Sequence, residues 1–249
     1  MSKGIGREFM EKTKYQYLEE SDQSKGLTQP SLQLDYDKTQ ETIELPTPKD
    51  LNIKEMNLIE AIEGRSSLRK YDKTPLTIEE LSYLLWCTQG VKQIVSRPAT
   101  VRTVPSAGAR HAFETYLLIN NVEGLQPGIY IYLAIEHRLI QENMDENIKE
   151  QVIGSCLNQK FIGNSAVTFI WVASSYRMKW RYGERGYRYL HLDAGHVCQN
   201  LYLASENIEC GTCAIAAFDD DKVNDLLDLD DQEQFAIYIA SVGKKLKNK

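Results

Sequence analysis

Apolar positions recur along this chain with two different periods, and the period assigns most of its elements. Leu190, Ala194, Val197, Leu201, Ala204 and Ile208 are spaced alternately by four and three, the stripe of an amphipathic helix. That stripe predicts a helix from about Tyr187 to Cys210, with Gly211 as its C-terminal stop. A second helix starts after Pro75: Thr77 is the N-cap, Glu80 completes a capping box, Leu76 faces Leu81 as a hydrophobic staple, and Gly90 ends it. Short β-branched and aromatic runs at Thr115 to Ile119, Gly128 to Leu133, Ala166 to Ala173 and Phe235 to Val242 predict strands. Gly124 to Gly128 reads as the hairpin connection between the first two. Hairpin-linked strands with helices that do not alternate regularly with them favour an α+β fold over a doubly wound sheet. Residues 1–50 carry Pro30, Pro46 and Pro48 and little periodicity, so they read as an arm that wraps or links, with residues 51–249 as the globular domain.

Composition narrows the class. The 249 residues are 42% hydrophobic and 26% charged, ordinary for a globular chain able to bury a full core. The formal charge of −6 and the scattered basic residues argue against a nucleic-acid partner. No apolar run is long enough to span a bilayer, and Met1 to Arg7 lacks the apolar core of a signal peptide, so a cytoplasmic location is expected. Five cysteines, at 87, 156, 198, 210 and 213, form no disulfide framework and no metal-ligand spacing. Cys210 and Cys213 lack the strand-before, helix-after context of a redox dithiol. The aspartates from Asp219 to Asp231 lack the glycine and terminal glutamate of a calcium loop and read as the capped start of a short helix.

Three segments carry candidate chemistry. Arg65, Ser66, Ser67, Leu68 and Arg69 place two guanidiniums around two hydroxyls, a clamp for a phosphate dianion, although exposed Arg and Ser also suit a solvated helix end. Pro105, Ser106, Ala107 and Gly108 form a tight turn whose small side chains let backbone N–H groups approach a planar ligand; a plain turn is the alternative. A third, Gly/Ala-rich turn is expected from Gly211 to Ala217. Together they suggest a flat, phosphorylated cofactor.

In order and spacing these motifs resemble the nitroreductase-type flavoproteins. Residues 77–90 and 187–201 are more narrowly similar to the SagB-type dehydrogenases, which include thiazole- and oxazole-forming peptide oxidases. The resemblance implies a nitroreductase-like α+β fold with a mainly antiparallel central sheet flanked by helices, and a homodimer with FMN at its interface. It assigns Arg65, Ser66, Ser67 and Arg69 to the flavin phosphate, with Lys244 and Lys245 as further cations for the same group. Pro105, Ser106, Ala107 and Gly108 are assigned to the isoalloxazine ring across the dimer. Ala214, Ile215 and Ala216 are assigned to the flavin edge, where a backbone N–H stabilises charge on the reduced ring. Relatives carry Asn at the place of Ala109. Azoline-oxidising relatives carry a Lys-Tyr pair where this chain has Arg181 and Tyr182, which marks these two as the catalytic pair; Arg181 supplies charge but cannot shuttle a proton.

The implied reaction is hydride transfer between flavin N5 and a small-molecule or peptide azoline substrate. An NAD(P)H-dependent nitro or quinone reductase is the alternative, with NAD(P)H as electron donor. A non-catalytic flavin-binding docking subunit of a peptide-modification complex is the second.

Overall fold

In the computed structural model, which describes residues 4–96, 98–230 and 232–246, the apolar runs pair into one large sheet. The chain enters through helix α1 (Ile5–Lys12) and strand β1 (Thr42–Glu44), then α2 (Leu58–Gly64), α3 (Ile78–Gln89) and the small hairpin β2 (Val91–Val95) and β3 (Ala99–Arg102). Next come β4 (Phe113–Ile119), β5 (Gly128–Leu133), β6 (Arg138–Asn143), α4 (Ile148–Ser155), α5 (Phe161–Asn164) and β7 (Val167–Ser174). The last elements are α6 (Ser175–Tyr182), α7 (Gly186–Asn207), β8 (Cys210–Ile215), α8 (Asp220–Leu226) and β9 (Gln234–Lys244). Seven strands lie in the order β1-β6-β5-β4-β7-β9-β8, and each neighbouring pair is antiparallel. This is the α+β architecture expected from the sequence.

Both faces of the sheet are covered, which is why its central strands β4, β5 and β7 are buried at nearly every position and mostly apolar. On β4, Leu117 and Ile119 pack towards α3 and α7, whereas Tyr116 and Leu118 pack towards α4 and α8. Fully buried Leu81, Leu84, Leu85, Leu190 and Leu201 fill the first layer, each worth roughly 1.5–3 kcal/mol relative to exposure. The start of α3 follows the local chemistry. Thr77 Oγ1 accepts from the Glu80 N–H at 3.2 Å while Glu80 Oε2 accepts from the Thr77 N–H at 3.0 Å.

The C-terminal end of the long helix departs from expectation. Helix α7 stops at Asn207, Glu209 turns the chain at φ 56°, and Cys210–Ile215 is not a turn but the edge strand β8, in register with β9 from Cys210↔Lys244 to Ile215↔Ile239. Gly211 is therefore a strand residue. Its missing side chain leaves room for Leu68, whose Cδ2 would stand 2.5 Å from a Cβ there. Cys, Gly and Ala carry little β propensity, so pairing with β9, not local preference, makes this strand.

Residues 4–45 run over the body. The Gln23 N–H donates to Trp180 O at 2.8 Å, Trp180 Nε1 donates to Leu27 O at 3.0 Å, and β1 adds an edge strand to β6. No helix of the described residues is long and apolar enough to cross a membrane.

Candidate functional site

The segment from Arg65 to Arg69 is extended and lies along the open edge of β8, with a parallel bridge between Ser67 and Thr212 and a 2.9 Å bond from Leu68 N–H to Thr212 O. Extended backbone alternates its side chains, so Arg65, Ser67 and Arg69 share one side while Leu68 packs onto Gly211. Ser67 Oγ meets the Tyr202 hydroxyl at 2.9 Å, and that hydroxyl accepts from the Ala214 N–H, also at 2.9 Å. Tyr202 thus ties the 65–69 segment to the 214–216 segment. The Arg65 guanidinium lies 5.3 Å from the Tyr202 ring and that of Arg69 5.9 Å from the Phe161 ring. Among the described residues no carboxylate pairs with either arginine, and Ser66, Ser67, Arg69 and Ala216 are exposed, Ala214 half-buried and Ile215 buried.

Lys244 and Lys245 are engaged elsewhere. Lys244 Nζ donates to Glu80 and, at 3.0 Å, to Ile208 O; Lys245 Nζ donates to Glu206. The Glu206 carboxylate would lie 3.2 Å from a Cβ at Gly64, so Lys245 stands on the N-terminal flank of the clamp.

The Pro105–Gly108 turn runs into left-handed backbone. Gly108 has φ 59°, and a Cβ there would fall 2.5 Å from the Tyr182 hydroxyl and 2.9 Å from Arg181 Cδ and Nε. The turn thus gathers Arg181 and Tyr182, both half-buried on α6. Ala109 (φ 54°) and His111 (φ 43°) also adopt left-handed conformations, which asparagine tolerates and alanine does not. Ser106 Oγ accepts from the His111 N–H at 2.9 Å, and Arg110 Nε donates to Gly108 O at 3.2 Å. Asp193 on α7 accepts from the Ala107 N–H at 3.3 Å with each oxygen. Burial raises the pKa of Asp193 against the opposing effect of its bonds from Ser106 and Ala107. His111 is pushed down to about 3 by burial and then by the charges of Arg102 and Arg110, so it is neutral.

Beside this turn the Tyr182 and Tyr189 rings meet edge to face at 4.8 Å. Arg185 Nε donates to the Tyr189 hydroxyl at 2.7 Å, and the Tyr15 hydroxyl of the arm lies 3.1 Å from it. Burial works against ionisation of Tyr189, but those bonds and the charges of Arg185 and Arg188 outweigh it and lower its pKa.

Two clusters result, and α7 holds both. Asp193 and Tyr202 are nine residues apart, which places them about 13 Å apart along the helix and on nearly opposite sides of it. Within one chain, the turn and the clamp therefore do not face each other across a single pocket. Asp193 lies within the 187–201 stretch that carries the family resemblance, but nothing in the sequence marks it or Tyr202 as a site residue, since both lie inside a helix defined by its apolar stripe. An acidic residue next to the stripe residue Ala194 was the available signal.

The Nitroreductase family is matched over residues 62–244. The chain is 32% identical over 207 residues to a Methanocaldococcus jannaschii protein named as a nitroreductase, MJ1384, covering 83% of this chain and 99% of that one. It is 31% identical over 130 residues to the trifolitoxin-processing protein TfxB of Rhizobium leguminosarum bv. trifolii, covering 51% of this chain and about a third (35%) of TfxB. Among solved structures, one from Anabaena variabilis described as a nitroreductase matches with TM-score 0.64 and 29% identity over 76% of this chain and 38% of that one. The E. coli microcin synthetase McbBCD complex with truncated pro-MccB17 matches with TM-score 0.61 over 98% of this chain and 92% of its own, at 19% identity, a likeness of fold.

Proposed function

The chain belongs to the nitroreductase family, and on that premise we propose that it is an FMN-dependent oxidoreductase of SagB type, acting as a homodimer in which each flavin is held by the clamp of one copy and the turn of the other. The observation that carries the reading is the opposition of the two clusters across α7, held by Asp193 on one side and Tyr202 on the other. A site needing both parts is assembled economically by a second copy related by a two-fold axis.

The residues present fit the group. Arg65 and Arg69 are cations without carboxylate partners among the described residues, set with Ser67 on the same side of the segment to hold a phosphate dianion; Ser66 faces the other side and would contribute through its backbone, and Lys244 and Lys245, paired with Glu80 and Glu206, stand further out. The turn at Gly108 packs directly against Tyr182 and Arg181, where a side chain would not fit, and so holds those two residues beside its backbone. Ala214, Ile215 and Ala216 would border the ring, with Tyr202 fixing the strand that presents them. Bound FMN would supply a two-electron carrier that gives or takes a hydride at N5. The protein's part is to anchor, orient and exclude water. Arg181 and Tyr182 stand at the mouth beside Gly108, Arg181 contributing charge and Tyr182 a hydroxyl able to pass a proton.

Likeness to a trifolitoxin-processing protein favours a peptide substrate, such as an azoline, oxidised at this site. A second reading, reduction of a small electrophile with NAD(P)H, is favoured by Arg181, which cannot give up a proton, and by the named nitroreductase matched nearly end to end. Purified protein should be yellow and release FMN on denaturation. FAD in the supernatant, or a colourless protein that FMN does not reconstitute, contradicts the proposal. Bleaching of the bound flavin by NADH or NADPH selects the reductive direction.

A further inference from the structure

The N-terminal arm stands outside the clamp and the turn, yet several of its hydrogen bonds converge on α6 and the start of α7. Helix α6 carries Arg181 and Tyr182 in its last turn and stops there, because Gly183 follows at φ 50° and turns the chain before α7 begins at Gly186. The last carbonyls of a helix lack partners within it, and the arm meets one of them. Gln23 N–H donates to Trp180 O at 2.8 Å, beside the Gly183 N–H that donates to Lys179 O. Trp180 is held a second time through Nε1, which donates to Leu27 O at 3.0 Å, and one turn earlier the Tyr176 hydroxyl donates to Asp22 at 3.2 Å. Arm residues 22–27 thus cap the end of the helix that bears Arg181 and Tyr182.

Tyr182 itself lies between two surfaces, its hydroxyl against Gly108 and its ring edge to face with Tyr189 at 4.8 Å. Tyr189 depends on the arm in turn. The Tyr15 hydroxyl lies 3.1 Å from that of Tyr189, Arg185 Nε donates to the same Tyr189 oxygen at 2.7 Å, and the Arg185 guanidinium sits 4.2 Å from the Tyr15 ring. Two guanidiniums grip the arm by its backbone: Arg185 Nη1 donates to Thr13 O at 2.6 Å and Arg188 Nη2 to Met10 O at 2.9 Å. Thr13 is buried there, but Tyr15 is 69% exposed, so its place in the structure comes from these two contacts and not from the core.

We propose that the arm is a strap belonging to the reaction site, in which Tyr15, acting through Arg185 and Tyr189, sets the orientation of the Tyr182 hydroxyl beside Gly108. The inference rests on the assignment of Arg181 and Tyr182 as the catalytic pair in the proposed function. Tyr15 is a positioning residue: it reaches Tyr182 only by way of Tyr189. A displacement of about 1 Å at a reacting group can slow chemistry about a hundredfold, so a contact outside the site bears on the rate inside it.

The test is fluorine NMR of the full-length, flavin-loaded protein carrying Tyr182→meta-fluorotyrosine. Tyr15→Ala should shift and broaden that resonance without changing Tm or flavin content. In a probe reaction, reduction of a quinone by NADPH or oxidation of a thiazoline peptide, the same variant should lower kcat roughly tenfold and keep KM within about twofold. Tyr15→Phe, which keeps the ring against Arg185, should disturb both less. A resonance unmoved in Tyr15→Ala, or one that moves only together with a fall in Tm and loss of flavin, would overturn the proposal. The resonance needs neither flavin nor turnover, so it reads the strap even in a colourless protein. Displacement of Tyr182 with undiminished turnover refutes the catalytic assignment and leaves the strap, and slowed turnover with Tyr182 undisplaced does the reverse.

Discussion

On the proposed reading, α7 holds two unlike pieces of one site, one near Asp193 and one near Tyr202. At the Tyr202 end the clamp is open, with Ser67 and Arg69 exposed and two guanidiniums without carboxylates. At the Asp193 end the turn is closed: three left-handed residues within four positions, a buried carboxylate on its backbone, and buried Arg110 and neutral His111 beneath. On that reading the first would recognise its ligand by charge and the second by shape. A charged group can wait in solvent at little cost, but a backbone conformation of this kind persists only if its surroundings impose it. Damage to the clamp should cost ligand and spare the fold, whereas damage to the turn should cost both.

Gly108→Val is the harshest way to break the contrast. Valine meets φ 59° and the Tyr182 hydroxyl together, so we expect a loss of roughly 2 to 4 kcal/mol in stability, a Tm lower by about 6 to 12 °C, and no bound flavin. Thermal melts and flavin absorbance of the same sample check it. Arg65→Ala or Arg69→Ala should weaken FMN by roughly 2 to 4 kcal/mol while Tm without flavin stays within about 2 °C, since neither side chain holds the fold. A clamp variant that melts early would erase the distinction.

Acid should act on the turn. His111 is neutral in the fold with a pKa of about 3, against about 6.5 when unfolded. The unfolded chain binds the extra proton between these values, so this contribution is complete above about pH 6.5 and lost as pH falls towards 3. Its size is on the order of a few kcal/mol. His111→Asn, which tolerates the left-handed backbone, should flatten the slope of stability against pH by up to about one proton. An unchanged slope would show that His111 is not the group responsible. The smallest effect is a gain: Ala109→Asn should stabilise the protein by about 0.5 to 1 kcal/mol by relieving φ 54°. Denaturant midpoints measure it.

What was legible in the sequence follows the range of the interactions. The capping box at Thr77 and Glu80 needs only four adjacent residues, and the β4–β5 hairpin only its own linker, so both were readable. Strand β8 was not. Its existence depends on β9, more than twenty residues further on, and its Cys-Gly-Thr-Cys-Ala-Ile composition reads instead as a helix stop at Gly211 followed by a Gly/Ala-rich turn. Of the candidate site, the residues supplying charge or turn geometry stood out, whereas those that position them, Asp193, Tyr202 and Tyr189, did not. A hydrogen bond across 86 residues, from Ala107 to Asp193, leaves no mark on either segment. Even the left-handed backbone at Ala109 is hidden, because alanine is not a residue that announces it.

Mixed dimers test the central claim, that clamp and turn of one flavin site belong to different copies. One preparation carries Arg65→Ala with Arg69→Ala, the other Gly108→Val; each should bind almost no FMN alone. After the two are unfolded together and refolded in equal amounts, half of the dimers pair one of each, and each of these contains one intact site and one doubly damaged site. The account predicts recovery of about a quarter of the wild-type flavin content. If clamp and turn of a single copy formed the site, every site would carry one lesion, and a mixture as colourless as its parents would contradict the account.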